Sequence, residues 1–240
     1  MDPLYNTNEH KPLWNKAEAI NTLTAEPTIY QLKKRTKKGD GAAAEMLRQI
    51  YVETNQPEKS KKWAKKGAEL GVAESMFWHS CYVYEENFET SMYWLVKACD
   101  KNHIPSMIKM GDLFRDGVLW EEDNLYIHKM EADICKAICW YKNASDAGSI
   151  LAKIRIGDAK LRSRNYASAL KWYQRTEKSN SPPGIRKIGD LYRKGLGVPK
   201  DRGKAREYYG RAKELGNPSA KKALYSMDHP ILSFFSSIFH

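Results

Sequence analysis

The 240-residue sequence is poor in the groups that most site chemistry requires. Its four cysteines (Cys81, Cys99, Cys135 and Cys139) form no CxxC pair and show no even spacing. Neither a zinc ribbon nor a secreted disulfide framework is indicated, and reduced, mostly buried thiols are expected. Cys135 and Cys139 stand one helical turn apart, but two thiols beside an aromatic read as core rather than as half of a metal site. The six histidines (His10, His79, His103, His128, His229 and His240) fall in unrelated phases. HExxH, a Gly-rich phosphate loop and a Gly-x-Ser-x-Gly elbow are all missing. No catalytic, cofactor-binding or metal site is therefore expected, and a hydrolase is kept only as a remote alternative. No apolar run is long enough to span a bilayer, and Met1 to Asn6 has neither the basic nor the apolar region of a signal peptide. The expected location is cytoplasmic.

Acid is the scarcer charge. Asp and Glu number 29 against 40 Lys and Arg, a formal charge of +11, which favours an acidic partner. From Arg186 to Lys222 there are twelve basic residues and four acidic ones. No nucleic-acid motif accompanies them, so a nucleic-acid-binding basic solenoid is the rival reading and an acidic protein the preferred one.

What is present is repetition. Blocks opening at Trp63, Trp94, Trp140, Trp172 and Tyr208 each close eight positions later on Gly71, Asn102, Gly148, Asn180 and Gly216. Gly and Asn best tolerate the left-handed conformation that ends a helix. Small residues precede each aromatic by three positions (Ser60, Ser91, Ala137, Ala169, Ala205) and follow it by four (Gly67, Ala98, Ala144, Thr176, Ala212). Such spacing marks one closely packed helical face, with the block-opening aromatic as its expected buried member. A second helix precedes each block, and in three of them Gly111-Asp112, Gly157-Asp158 and Gly189-Asp190 recur at one offset. Glycine in a helix interior costs about 1 kcal/mol relative to alanine, so its recurrence implies close approach of a neighbouring side chain. The first two repeats carry Arg48 and Ser80 in that slot. The expected fold is all-α, a solenoid of about five helix-turn-helix repeats.

These residues resemble the Sel-one-like repeat family, a relative of the tetratricopeptide solenoids. The fifth repeat carries the pattern most fully: Gly184, Ile188-Gly189, Tyr192, Gly195-Leu196-Gly197-Val198, Asp201, Lys204-Ala205, Tyr208-Tyr209, Ala212 and Gly216. The third matches at both ends (Met110-Gly111, Lys136-Ala137, Trp140-Tyr141, Gly148) and diverges between them. The resemblance implies a right-handed superhelix of antiparallel helix pairs serving as an adaptor or scaffold for another protein. A sharper version makes that partner a toxin or secreted effector and this chain its immunity factor or adaptor.

The organisation read from the sequence is an irregular segment over 1–27, a solenoid over 28–227 and an apolar tail over 228–240. The repeats are placed at 40–71, 72–102, 103–148, 149–180 and 181–216, followed by a capping helix. The tail covers the last repeat, occupies the groove or engages a partner; coverage is the preferred reading. The third repeat holds about ten extra residues between its helices, including Trp120 and Tyr126. They read either as a longer helix pair packing on itself or as an edge projection whose aromatics anchor a partner.

In tetratricopeptide-like stacks the concave surface comes from first-helix residues that face away from the second helix. The resemblance transfers that phase to Phe77 and Tyr84, then to Ile108, Asp112 and Arg115. It continues through Ile154, Asp158 and Leu161 to Arg186, Asp190 and Arg193. The expected groove has an exposed apolar floor with arginines at intervals that fork onto partner carboxylates. A phase error of one residue would instead put the apolar members in the core and leave a polar groove.

Overall fold

The computed structural model describes residues 26–122 and 125–229, with side chains outside 28–118 and 130–229 left aside. The chain divides into two units, one ending at His103 and the other beginning at Ile104. The first contains α1 (Glu26–Lys37), α2 (Gly41–Glu53), α3 (Pro57–Glu69), α4 (Ala73–Val83) and α5 (Phe88–Asp100). The second contains α6 (Ile104–Asp116), a hairpin of β1 (Val118–Glu122) and β2 (Leu125–Met130), and α7 (Ile134–Asp146). It continues through α8 (Ile150–Arg162), α9 (Tyr166–Glu177), α10 (Pro182–Lys194), α11 (Arg202–Glu214) and α12 (Pro218–Asp228). Helices α2/α3, α4/α5, α6/α7, α8/α9 and α10/α11 are the repeats, each an A helix followed by a B helix. The described part of the expected irregular segment is already helical, because α1 starts at Glu26. The rest of that segment and the apolar tail beyond His229 lie outside the described residues.

Local chemistry sets the ends of each B helix. Asn87, Asp133, Asn165 and Asp201 cap the first turns, their side chains accepting from the amides of Thr90, Lys136, Ser168 and Lys204. Such a cap is worth about 1 kcal/mol. The closing residues are left-handed as the pattern requires, with φ of 86° at Gly71, 100° at Gly148 and 85° at Gly216, and 57° and 48° at Asn102 and Asn180. No Cβ penalty opposes this conformation at Gly, and Asn tolerates it.

The expected small residues line the B-helix core: all of Ser60, Gly67, Ser91, Ala98, Ala137, Ala144, Ala169, Thr176, Ala205 and Ala212 are buried. The large residue between them is one position later than expected. Leu95, Tyr141, Tyr173 and Tyr209 are almost wholly buried, whereas Trp63, Trp94, Trp140, Trp172 and Tyr208 are only half-buried. These outer aromatics work at the rim instead. Trp172 lies under the Arg175 guanidinium at 4.1 Å, and Tyr208 stacks on Tyr192 with ring centroids 5.7 Å apart.

Three other expectations are corrected. The third-repeat insertion is not a longer helix pair: β1 and β2 pair antiparallel, with Trp120 opposite Ile127 and Tyr126 opposite Glu121. At its neck the Asp133 amide donates to the Phe114 carbonyl at 2.6 Å, holding the two ends of the insertion together. The thiols are mostly exposed, not buried. Cys81, Cys135 and Cys139 face solvent and Cys99 alone is buried, its thiol pushed up to about 12 by loss of hydration and then by Asp100. Finally, the apolar floor is closed. Phe77, Ile108 and Ile154 keep only 4%, 4% and 5% of their surface, and Ile154, for one, lies in a core shared with residues of α9 and α10.

Candidate functional site

In the second unit the recurring Gly-Asp pairs build one arrangement three times. A Cβ on Gly111 or Gly157 would stand only 2.3 Å from Cε1 of Tyr141 or Tyr173, and one on Gly189 2.8 Å from Cε1 of Tyr209. With no Cβ there, each tyrosine crosses the A helix and its hydroxyl reaches the next residue's carboxylate. Tyr141 donates to Asp112 at 2.7 Å, Tyr173 to Asp158 at 2.6 Å and Tyr209 to Asp190 at 2.6 Å. Burial first, with the facing carboxylate close behind, pushes all three phenols well above their ordinary value, so they remain donors.

Each carboxylate also holds a cation. Arg115 reaches Asp112 at 2.7 Å and forks onto Asp116, whose hydrogen bonds raise the guanidinium further while holding Asp116 below the usual carboxylate range. Arg155, from the following A helix, places Nε 3.5 Å from Asp112, an ion-pair distance without hydrogen-bond alignment. Lys187 does the same for Asp158 at 2.6 Å, and Arg186 closes on Asp190 from one turn earlier at 2.5 Å. The carboxylates remain 15%, 25% and 26% exposed at Asp112, Asp158 and Asp190, so the rungs can be reached from solvent.

Of the residues expected at the site, the second unit thus brings Asp112, Arg115, Asp158, Arg186 and Asp190 into these rungs. Leu161 and Arg193 lie half-buried on the same A-helix face, and the Nε of Arg193 is buried without a hydrogen-bond partner among the described residues. Ile108 and Ile154 are core beneath that face. Phe77 is core in the first unit, in edge contact with Trp78 and His103, and Tyr84 is half-buried against Phe88. Trp120 and Tyr126 have backbones in the hairpin and side chains outside the described part. Arg155 and Lys187 complete the rungs and stand outside the set expected from the sequence. Their signal was a basic residue three positions before the recurring aspartate, at Lys109, Arg155 and Lys187.

The first unit uses a different chemistry on its A helices. Arg48, in the glycine slot, is buried against Glu45 at 2.5 Å, and its guanidinium lies 4.9 Å over the Trp78 ring. Trp78 donates to Glu74 at 2.7 Å, and His103 meets the other Glu74 oxygen at 2.9 Å, which holds that carboxyl below its usual range. Among the described residues no three His, Cys, Asp or Glu side chains come together as a metal-binding group. Nor is any described helix long and apolar enough to cross a membrane.

Helix pairs of this kind, with small-residue seams and left-handed closers, define the tetratricopeptide-related solenoid class. The chain belongs to the Sel1 repeat family: the family model matches residues 43–72, 75–103, 157–180 and 182–217. The unmatched stretch between the second and third of these holds the hairpin. An uncharacterised protein of Neisseria meningitidis serogroup B is 36% identical over 103 residues, which are 40% of this chain and only 22% of that protein's length. Among solved structures, a Sel1 repeat protein from Oxalobacter formigenes superposes with a TM-score of 0.66 at 22% identity, over 88% of this chain and 81% of its own. Immunity protein PA5088 of Pseudomonas aeruginosa does so at 0.52 and 15% identity, over 86% and 84%. At such identities the likeness is one of fold. Sel1 repeats are protein-interaction modules built on a generally non-catalytic scaffold.

Proposed function

We propose that this chain is a non-catalytic adaptor that takes an acidic face of a partner protein on the A-helix side of its second unit. The observation that carries the reading is Arg193. It lies one turn beyond Asp190 on the rung face, its Nε is buried without a bond, and no described carboxylate pairs with it. A partner carboxylate would supply the counter-charge that the half-buried Arg193 side chain lacks. Around it the balance is basic: α8 has Lys153, Arg155, Lys160 and Arg162 against Asp158, and α10 has Arg186, Lys187, Arg193 and Lys194 against Asp190. Because the rung aspartates are already engaged, the surplus cations define the field that a partner meets. Leu161 supplies an apolar contact on this face, and the hairpin carrying Trp120 and Tyr126 is the next candidate. With Phe77, Ile108 and Ile154 in the core, recognition is by charge more than by apolar anchors. The immunity protein that shares the fold makes a toxin or secreted effector the partner class of choice.

Photo-crosslinking in the cells that make the protein tests this. A benzophenone amino acid at position 161 should trap one acidic protein, and the band should disappear when Arg193→Glu is added. No product from position 161, or the same product from exposed position 178 on the B-helix side, would overturn the reading.

A further inference from the structure

A second basic feature lies in the first unit, on helices the rung face does not include. Between α1 and α3 runs a groove of about 710 Å³ lined by Tyr30, Trp63, Thr36 and Glu69 and by six lysines, Lys33, Lys34 and Lys37 on one wall and Lys62, Lys65 and Lys66 on the other. Glu69 is its one acidic lining residue, and it lies 3.3 Å from Lys66. Among the described residues none of the other five lysines pairs with a carboxylate. Tyr30 is 68% exposed, and the half-buried Trp63 packs against the core cluster that includes Leu32, Leu47 and Tyr51.

These facts constrain an occupant. Lysine stems lie along apolar surface and hold their ammonium groups at the rim, so the groove is apolar inside and strongly cationic at its edges. Like charges on facing walls repel unless anions join them, which selects an acidic ligand. A recess of this volume accepts a few side chains, whereas a flat bilayer surface meets only its rim. Tyr30 at the rim and Trp63 against the core give the groove two aromatic faces, which call for an apolar or aromatic side chain between acids rather than a bare polyanion. We propose that the α1–α3 groove is a binding site for a short acidic peptide segment of a partner protein, carrying an apolar side chain that inserts between Tyr30 and Trp63. It is separate from the rung face and does not depend on it.

The probe is a labelled synthetic peptide, Glu-Glu-Leu-Glu-Glu-Phe-Glu-Glu, with a benzophenone in place of Phe for crosslinking, titrated against the full chain by anisotropy. Crosslinks should map to α1 and α3. The quadruple variant Lys33→Glu, Lys37→Glu, Lys62→Glu, Lys66→Glu should weaken binding by about tenfold or more. A control of equal charge change, Lys142→Glu, Lys171→Glu, Lys178→Glu, Lys213→Glu, should retain most of the affinity, and Arg193→Glu should leave crosslinking to α1 and α3 intact. Circular dichroism confirms that each variant is folded, and Lys62→Gln with Lys66→Gln gives a milder second test in the same direction. Equal loss in the control, crosslinks spread over the second unit, or tighter binding to single-stranded oligothymidine or to phosphatidylserine vesicles than to the peptide would overturn the proposal.

Discussion

The Tyr173 hydroxyl donates to Asp158 at 2.6 Å from a ring whose Cε1 lies only 2.3 Å from where a Cβ on Gly157 would stand, and Lys187 closes on the same carboxylate at 2.6 Å. One aspartate on α8 thereby ties the helix after it and the helix beyond that. In a linear array, where each repeat is held only by its neighbours, such a tie sets the stiffness of the face that carries the cations.

The buried tyrosine, not the tryptophan before it, should dominate stability. Tyr141→Ala is expected to cost about 3–5 kcal/mol, as for other large buried aromatics, and the half-buried Trp140→Ala clearly less. Denaturant titration of the two variants decides the order, and a larger loss at Trp140 would contradict the packing described.

Glycine substitutions should split by location. Gly157→Ala drives a methyl into Tyr173 and should destabilise by about 1–3 kcal/mol despite alanine's better helix propensity. Gly210→Ala, also within a helix but with open space around it, should stabilise by about 0.5–1 kcal/mol. Thermal melts of the pair would show shifts of opposite sign.

These expectations mark how far the sequence could be read. The repeat phase was legible because positive φ restricts the closing residue to Gly or Asn, as at Gly148 and Asn180. The choice between Trp140 and Tyr141 was not. Ala137 and Ala144 stand three before and four after the first, but four before and three after the second, and helical geometry treats both spacings alike. Only Asp112 separates them, since it needs a hydroxyl donor and tyrosine has one. Ile108 and Ile154 were ambiguous for a similar reason: an A helix is packed on more than one side, so apolar character alone does not mark a groove. The hairpin had a readable signal in Asp123-Asn124, turn-type residues between runs rich in strand formers.

pH should act on the first unit through His79. Burial first, then Lys65, lowers its pKa from the ordinary 6.5, with Glu69 and Glu86 opposing and Lys61 adding to the effect. The unfolded chain therefore binds more protons than the folded one between the two values. Stability falls as pH drops through about 6.5 and levels off below the folded value. Hydrogen exchange of α4 and α5 at pH 8 and pH 5.5 should show this loosening, and His79→Leu should reduce it. Equal slopes in both proteins would assign the effect elsewhere.

Thiol reactivity should sort the cysteines. With an excess of an aromatic disulfide reagent at pH 8, Cys81, Cys135 and Cys139 are expected to react promptly, and Cys99, whose thiol is raised to about 12, only with unfolding. Mapping the modified peptides checks it, and early labelling of Cys99 would contradict its burial.

The central claim is that a partner's acidic face meets the second unit at Arg193. Its most direct test is calorimetric titration of the crosslinked partner, once purified, against the wild-type chain and Arg193→Glu. Arg193→Glu is preferred to Arg115→Glu, which would set a third carboxylate beside Asp112 and Asp116 and perturb the fold. The melting temperature should be unchanged, the affinity weakened about tenfold or more, equivalent to about 1.4 kcal/mol, and wild-type association should slow steeply as salt rises. Unchanged affinity in folded Arg193→Glu, with association indifferent to salt, would contradict it.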